Sequence, residues 1–125
     1  MYNNRRITMT EEFVTLETAK LLKEKGFRED CMAFYTKDGL FNCNSYINTN
    51  VLKLPAPTQS LAQKWLRETK NLHIEMSYMY GDYWIYDILT IPNHDLVGLA
   101  DRPIVHYNTY EEALEDGIKE ALILI

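Results

Sequence analysis

The stretch "APTQSLAQKWLRETKNLHIEM", residues 56–76, decides how this chain folds. Pro55 and Pro57 remove backbone donors and push the residues before them out of helical space, so 48–57 reads as extended. Thr58 then caps a helix that runs to about Lys70. Leu61, Ala62, Trp65, Leu66 and Thr69 share one stripe, the expected buried one. Gln59, Gln63, Lys64, Arg67 and Lys70 fall on the wet sides. Beyond Asn71, Leu72, Ile74, Met76 and Tyr78 alternate with His73, Glu75 and Ser77, the period of a half-buried strand. The segment therefore reads as an apolar wedge seated on a sheet, with a merely hydrated charged flank.

The strand continues into "YMYGDYWIYDILTI", a hairpin turning at Gly81-Asp82. A strict two-residue loop would set Asp87 opposite Met76 and aim its carboxylate at the core. A three-residue loop or bulge brings Trp84, Tyr86 and Ile88 inward and Asp87 outward. An unpaired buried carboxylate is costly, so the longer loop is expected. It leaves Met79, Ile85 and Leu89 on the outer face beside His73, Glu75 and Asp87.

Two further helices frame these elements. "TLETAKLLKEKGF", 15–27, has Thr15 as N-cap, Leu16, Ala19 and Leu22 at helical spacing, and Gly26 at the left-handed C-terminal position. "YEEALEDGIKEALILI", from Tyr110 to the end, opens with a Thr109–Glu112 capping box. Tyr110, Ala113, Leu114, Gly117, Ile118, Ala121, Leu122 and Ile125 share its inner face, and Gly117 there implies close contact with a ring or a backbone. An earlier hairpin is signalled by Asp38-Gly39. With a two-residue loop, Lys37 pairs with Leu40 and Phe34 with Cys43, and Met32, Phe34, Phe41, Cys43 and Ile47 face inward. Residues 92–108 lack a period, although "PIVHY" reads as a short strand. "KLLKE" at Lys20 and "KWLRE" at Lys64 echo one another, either as two similar helix–hairpin units or as coincidence between amphipathic helices. The expected fold is α+β, a two-layer sandwich of three helices on an antiparallel sheet of four or five strands. Residues 1–12 read as a flexible leader before a single domain, 13–125.

The chain has 125 residues, 46% apolar and 25% charged, which suits one globular domain with a real core. No apolar run is long enough to span a bilayer, and Arg5 and Arg6 are not followed by a signal-peptide core, so no membrane partner and a cytoplasmic setting are expected. Cys31 and Cys43 are too few for a disulfide framework. The net charge of −5 repels phosphate backbones. Lys20, Lys23, Lys64, Arg67 and Lys70 give a nucleic-acid reading its candidate contacts, but Glu24 and Glu68 interrupt them and Trp65 and Leu66 must be buried. The aromatic run at Tyr80, Tyr83, Trp84 and Tyr86 resembles a base-stacking platform. No Lys or Arg lies between Asn71 and Ala100 to draw phosphate to it.

Catalytic signals are sparse. His73, His94 and His106 sit in three separate segments, no Cys-x-x-Cys occurs, and glycines come singly, so neither metal nor cofactor is expected. An enzyme would have to draw Asp101, His94 or His106 together from the irregular 92–108 loop.

"APTQSLAQKWLRETKNLHI" and the closing "TYEEALEDGIKEALILI" resemble a group of short proteins encoded by gut Bacteroidales and by phages and prophages. In that group a Thr-Gln-led helix ends in Trp-Leu-Arg-Glu before a strand, and a Tyr-Glu-Glu-Ala helix closes the chain. Here the matching residues are Thr58, Gln59, Trp65, Leu66, Arg67 and Glu68, then Tyr110, Glu111, Glu112 and Ala113. The resemblance covers about a third of the chain and leaves the hairpin from Tyr78 to Ile91 unmatched. It implies a mobile-element origin and lends no catalytic residue. The expected role is non-enzymatic: binding another protein, or a second copy, through Met79, Ile85 and Leu89.

Overall fold

The computed structural model describes residues 11–36, 38, 39, 41–43, 53–98 and 105–125. Their element order is α1 (Leu16–Glu24), β1 (Ala33–Thr36), β2 (Phe41–Cys43), β3 (Lys53–Pro55), α2 (Gln59–Lys70), β4 (Leu72–Met79), β5 (Tyr83–Thr90), β6 (Leu96–Val97) and α3 (Tyr110–Ile123). The class is α+β, as the sequence patterns imply. Most of the leader, and Lys37, Leu40, Ile47 and Asp101, lie outside the described residues. At its end, Glu12 O accepts from Gln59 N at 2.8 Å.

The helix ends follow their sequence signals. Thr15, Thr58 and Thr109 each accept a backbone N–H of the first turn, and Glu112 returns the bond to complete the capping box. Gly26 takes φ +104°, which lets Phe27 N–H reach back to Leu22 O at 2.9 Å and buries the Phe27 ring. Asn71 closes α2 at φ 57° and turns the chain directly into β4.

The expected single sheet is instead two three-stranded sheets, β2-β1-β3 and β4-β5-β6, all pairs antiparallel. The reason lies in the edges. β1 is occupied on both sides by β2 and β3. Just past β3, Phe13 bridges Thr58 and Val14 N–H donates to Pro57 O at 3.0 Å, so the chain before α1 continues that edge. β5 is flanked by β4 and β6, and Trp84 exchanges bonds with Tyr107 beyond them. Among the described residues the last strand is thus Leu96–Val97, the sixth where four or five were expected, and of "PIVHY" the bridge involves Tyr107.

The first hairpin is one residue out of the expected register: Phe34 faces Asn42 and Tyr35 faces Phe41. Gly39 N–H donates to Thr36 O at 2.8 Å with φ +84°, the form of a three-residue loop ending in a left-handed glycine. The slip puts Phe41 on the face of Tyr35 rather than on that of Phe34. Met32, expected inward, is 68% exposed. Phe41 stands beside Tyr35 on the face that Tyr35 turns to the core, its ring 5.3 Å from Tyr35 and 5.2 Å from Phe13, and is 43% exposed, while Ala33 and, as expected, Phe34 are buried.

One apolar core joins everything. α3 packs on β4 and β5 and lies against both α1 and α2. Trp65 is 7% exposed, its ring edge-on to Phe27 at 5.5 Å and Lys70 Nζ 5.4 Å from its centroid. Leu66, Ile74, Tyr86, Ile88, Ile118 and Leu122 belong to the same buried cluster, and Tyr35 and Leu54 of the other sheet pack against that cluster. Gln59, expected on a wet side, is buried. Its Nε2 donates to Glu111 O at 2.9 Å and Glu115 Oε1 at 3.0 Å. Glu115 Oε2 in turn accepts from Thr15 N, Thr15 Oγ1 and Thr18 Oγ1 at 3.0, 2.9 and 2.5 Å, so one carboxylate ties together the starts of α1 and α2.

At Gly117 the helix α3 comes close to the sheet. A Cβ there would stand 2.9 Å from Ile74 Cγ2 and 3.2 Å from the Tyr86 ring, both buried. Gly117→Ala returns about 1 kcal/mol of helix propensity. The overpacking costs about 1–3 kcal/mol, so the net expectation is a loss of about 1 kcal/mol in urea unfolding. An unchanged or raised midpoint would show that the helix does not press on this ring.

Candidate binding face

The face opposite the core on β4-β5-β6 is set by the second hairpin. Met79 pairs with Tyr83, leaving the three-residue loop Tyr80-Gly81-Asp82, closed by Asp82 N–H donating to Met79 O at 3.1 Å. Gly81 has φ +106° and Asp82 φ 65°. Met76 consequently faces Tyr86, and Asp87 faces Glu75. Tyr86 and Ile88 enter the core and Asp87 stays out of it, as the cost of a buried carboxylate requires. Trp84 is half-buried, its ring 5.0 Å from Tyr78 and 5.1 Å from Tyr110.

Alternation then places His73, Glu75, Ser77 and Met79 of β4 and Tyr83, Ile85, Asp87 and Leu89 of β5 on the outer face. Leu96 joins them from β6 because it pairs with Leu89. Met79 and Ile85 are half-buried and Leu96 is 56% exposed. Leu89 lies on this side by register but is buried at 8%, so it is not contact surface and drops out of the expected set. Sequence patterning missed Leu96, whose only signal was a short apolar pair in an aperiodic segment. The polar part of the face is acidic. Glu75 and Asp87 stand directly opposite, and His73 Nε2 lies 3.1 Å from Glu75 Oε1 while its Nδ1 is buried without a partner. At the tip, Tyr83 stacks on His106 with centroids 3.8 Å apart, and Tyr80 is fully exposed.

The basic residues do not form a counterpart. Lys20 and Lys23 are exposed on α1; Lys64 is exposed and Arg67 and Lys70 half-buried on α2. α3 lies against both of those helices. Lys70 is drawn onto the Trp65 ring.

Concavities flank the fold, two of them near the residues just described. One, of about 640 Å³, runs beside the Glu115 knot and is lined by Phe13, Tyr107 and the acids Glu12, Glu111, Glu112 and Asp116. Burial first, and then the Asp116 carboxylate that accepts its hydroxyl proton, push the Tyr107 phenol well above the ordinary tyrosine range. The other, of about 600 Å³, has Phe27, Ala33, Phe34 and Pro55 as an apolar floor and Lys23, Arg28, Glu29, Asp30 and Cys31 at its rim. Cys31 carries a free thiol whose pKa is pushed up to about 11, by burial and then by Asp30 and Glu29. That is the opposite of what a nucleophile needs. His94 and His106 are exposed, and among the described residues no three His, Cys, Asp or Glu gather where a metal ion could sit. Nor does any described helix have the length and apolar character to cross a membrane.

No protein-family model, curated protein or solved structure matches this chain.

The Cys31 environment has a chemical consequence. Carbamidomethylation of Cys31 by iodoacetamide at pH 8, followed by mass spectrometry of its peptide, is expected to run roughly a hundredfold slower in the folded chain than in urea. Equal rates would show that the thiol is neither buried nor shielded by its two carboxylates.

Proposed function

We propose that this chain is a small non-enzymatic protein that binds another protein through the outer face of β4-β5-β6. The observation that supports this is the Met79–Tyr83 register, which turns Met79, Ile85 and Leu96 out together on the side away from α3. Apolar side chains grouped on one sheet face, rimmed by polar ones, mark interaction surfaces on soluble domains. The rim also describes the partner. Glu75 and Asp87 face each other with no Lys or Arg nearby in sequence, so the partner presents an apolar side chain flanked by lysine or arginine. The resemblance to Bacteroidales and phage proteins supports a mobile element, or its cytoplasmic host, as the setting.

An Ile85→Asp, Leu96→Asp double variant tests the reading, with circular dichroism confirming the retained fold. A protein that co-purifies with the wild type, and binds it again from purified components, is expected to bind the variant at least about tenfold more weakly. Identical partners and affinities for both chains would contradict the proposal.

A further inference from the structure

The hydrogen bonding of β5 shows which way the backbone of β4 points. Trp84 N donates to Tyr107 O at 2.8 Å and Tyr107 N to Trp84 O at 3.0 Å, while Thr90 N donates to Asp95 O at 2.9 Å. The even-numbered residues of β5 therefore bond away from β4. Their partners Ile74, Met76 and Tyr78 must bond away from β5, toward the outer edge of β4. Gln63 makes the same point, since its Nε2 reaches down from α2 to donate to Ile74 O at 2.9 Å. That contact closes the edge at Ile74. Past it, the N–H and C=O groups of Met76 and Tyr78 have no partner among the described residues, and Tyr78 is 58% exposed. Natural edge strands are blunted by proline, lysine, bulges or brevity. β4 has eight residues, pairs with β5 without a bulge, and contains no Pro, Lys or Arg.

We propose that a second copy of this chain pairs with this edge, antiparallel, with Ser77 on the two-fold axis. The inference rests on reading β4-β5-β6 as the binding sheet, and it names the partner of that sheet's open side. The axis position follows from the backbone. With Ser77 facing Ser77 of the second copy, Met76 of each copy lies opposite Tyr78 of the other. Each such pair exchanges two hydrogen bonds, using every free group of both residues. Centring on Tyr78 would set Met76 against Tyr80, which belongs to the turn. Centring on Glu75 would set two carboxylates face to face and bring Ile74, already held by Gln63, into the ladder. In the Ser77 register Glu75 meets Met79, no like charges oppose, and the smallest outer-face side chain of β4 sits at the closest approach. Two three-stranded sheets become one of six strands, and the two outer faces lie side by side.

Light scattering after size exclusion tests the assembly. The wild type is expected at twice the 14.7 kDa chain mass. Tyr78→Pro, which removes an edge donor, and Ser77→Lys, which sets two charges on the axis, are each expected at the monomer mass with circular dichroism unchanged. Ser77→Cys is expected to cross-link through its two introduced thiols under mild oxidation, and Glu75→Cys is not, because those positions would lie far apart along the strands. A monomeric wild type, or a dimer that persists in both edge variants without cross-linking at position 77, overturns the proposal. The Ile85→Asp, Leu96→Asp variant leaves the β4 edge intact and is expected to remain dimeric. Loss of face binding and loss of edge pairing are thus read separately.

Discussion

Everything in this fold depends on the pairing of Met79 with Tyr83. Strand side chains alternate, so a shift of one residue would exchange the two faces of β5. The shifted form would put Asp87 in the core and take Tyr86 and Ile88 out of it. The three-residue loop avoids a buried unpaired carboxylate, and the rest follows. Ile74 and Tyr86 come to lie under Gly117, α3 settles onto the sheet, and Ile85 and Leu96 are left outside. The same pairing decides which backbone groups of β4 face the neighbouring strand and which face the open edge.

The two sheets are held by a common core rather than by a common ladder. Trp65 and Phe27 fill the space between α2 and the end of α1, while Tyr35 and Leu54 reach the same cluster from the smaller sheet. Apolar burial is non-directional and would not alone fix the helix starts relative to one another. The Glu115 carboxylate supplies that direction. It gathers donors from Thr15, Thr18 and Gln59, and charge-assisted bonds of this kind are stronger than neutral ones. The acidic concavity beside it reads first as the flank of this structural knot.

What the sequence made legible was local. Thr15, Thr58 and Thr109 as caps, Gly26 as a helix end, Gly117 as a contact point and the three-residue loop of the second hairpin each rest on a few neighbouring residues and a steric or electrostatic rule. What it hid was non-local. Gln59 looks solvent-facing by helical period, and only the distant Glu115 explains its burial. Asp38-Gly39 admits two loop lengths, and no buried charge penalised the wrong one, so Phe41 was expected on the face of Phe34 rather than that of Tyr35, and Met32 was expected in the core. The division into two sheets depends on Val14 and Phe13 covering the edge beyond β3, a pairing between segments more than forty residues apart. At the candidate site, Met79 and Ile85 followed from alternation. Leu96 and the burial of Leu89 did not, because both depend on how the segment after β5 returns.

The functional reading stands on that alternation too: an outer face with apolar groups and an acidic rim, and an edge left without the usual blocks. The most direct measurement is therefore nuclear Overhauser contact between α-protons across β4 and β5. The geometry places Met76 opposite Tyr86, and Ile74 opposite Ile88, as pairs without mutual hydrogen bonds, so strong Hα–Hα contacts are expected within each pair. Contacts joining Met76 to Asp87, or Ile74 to Leu89, would mean the two-residue loop, and would contradict the core, the face and the edge together.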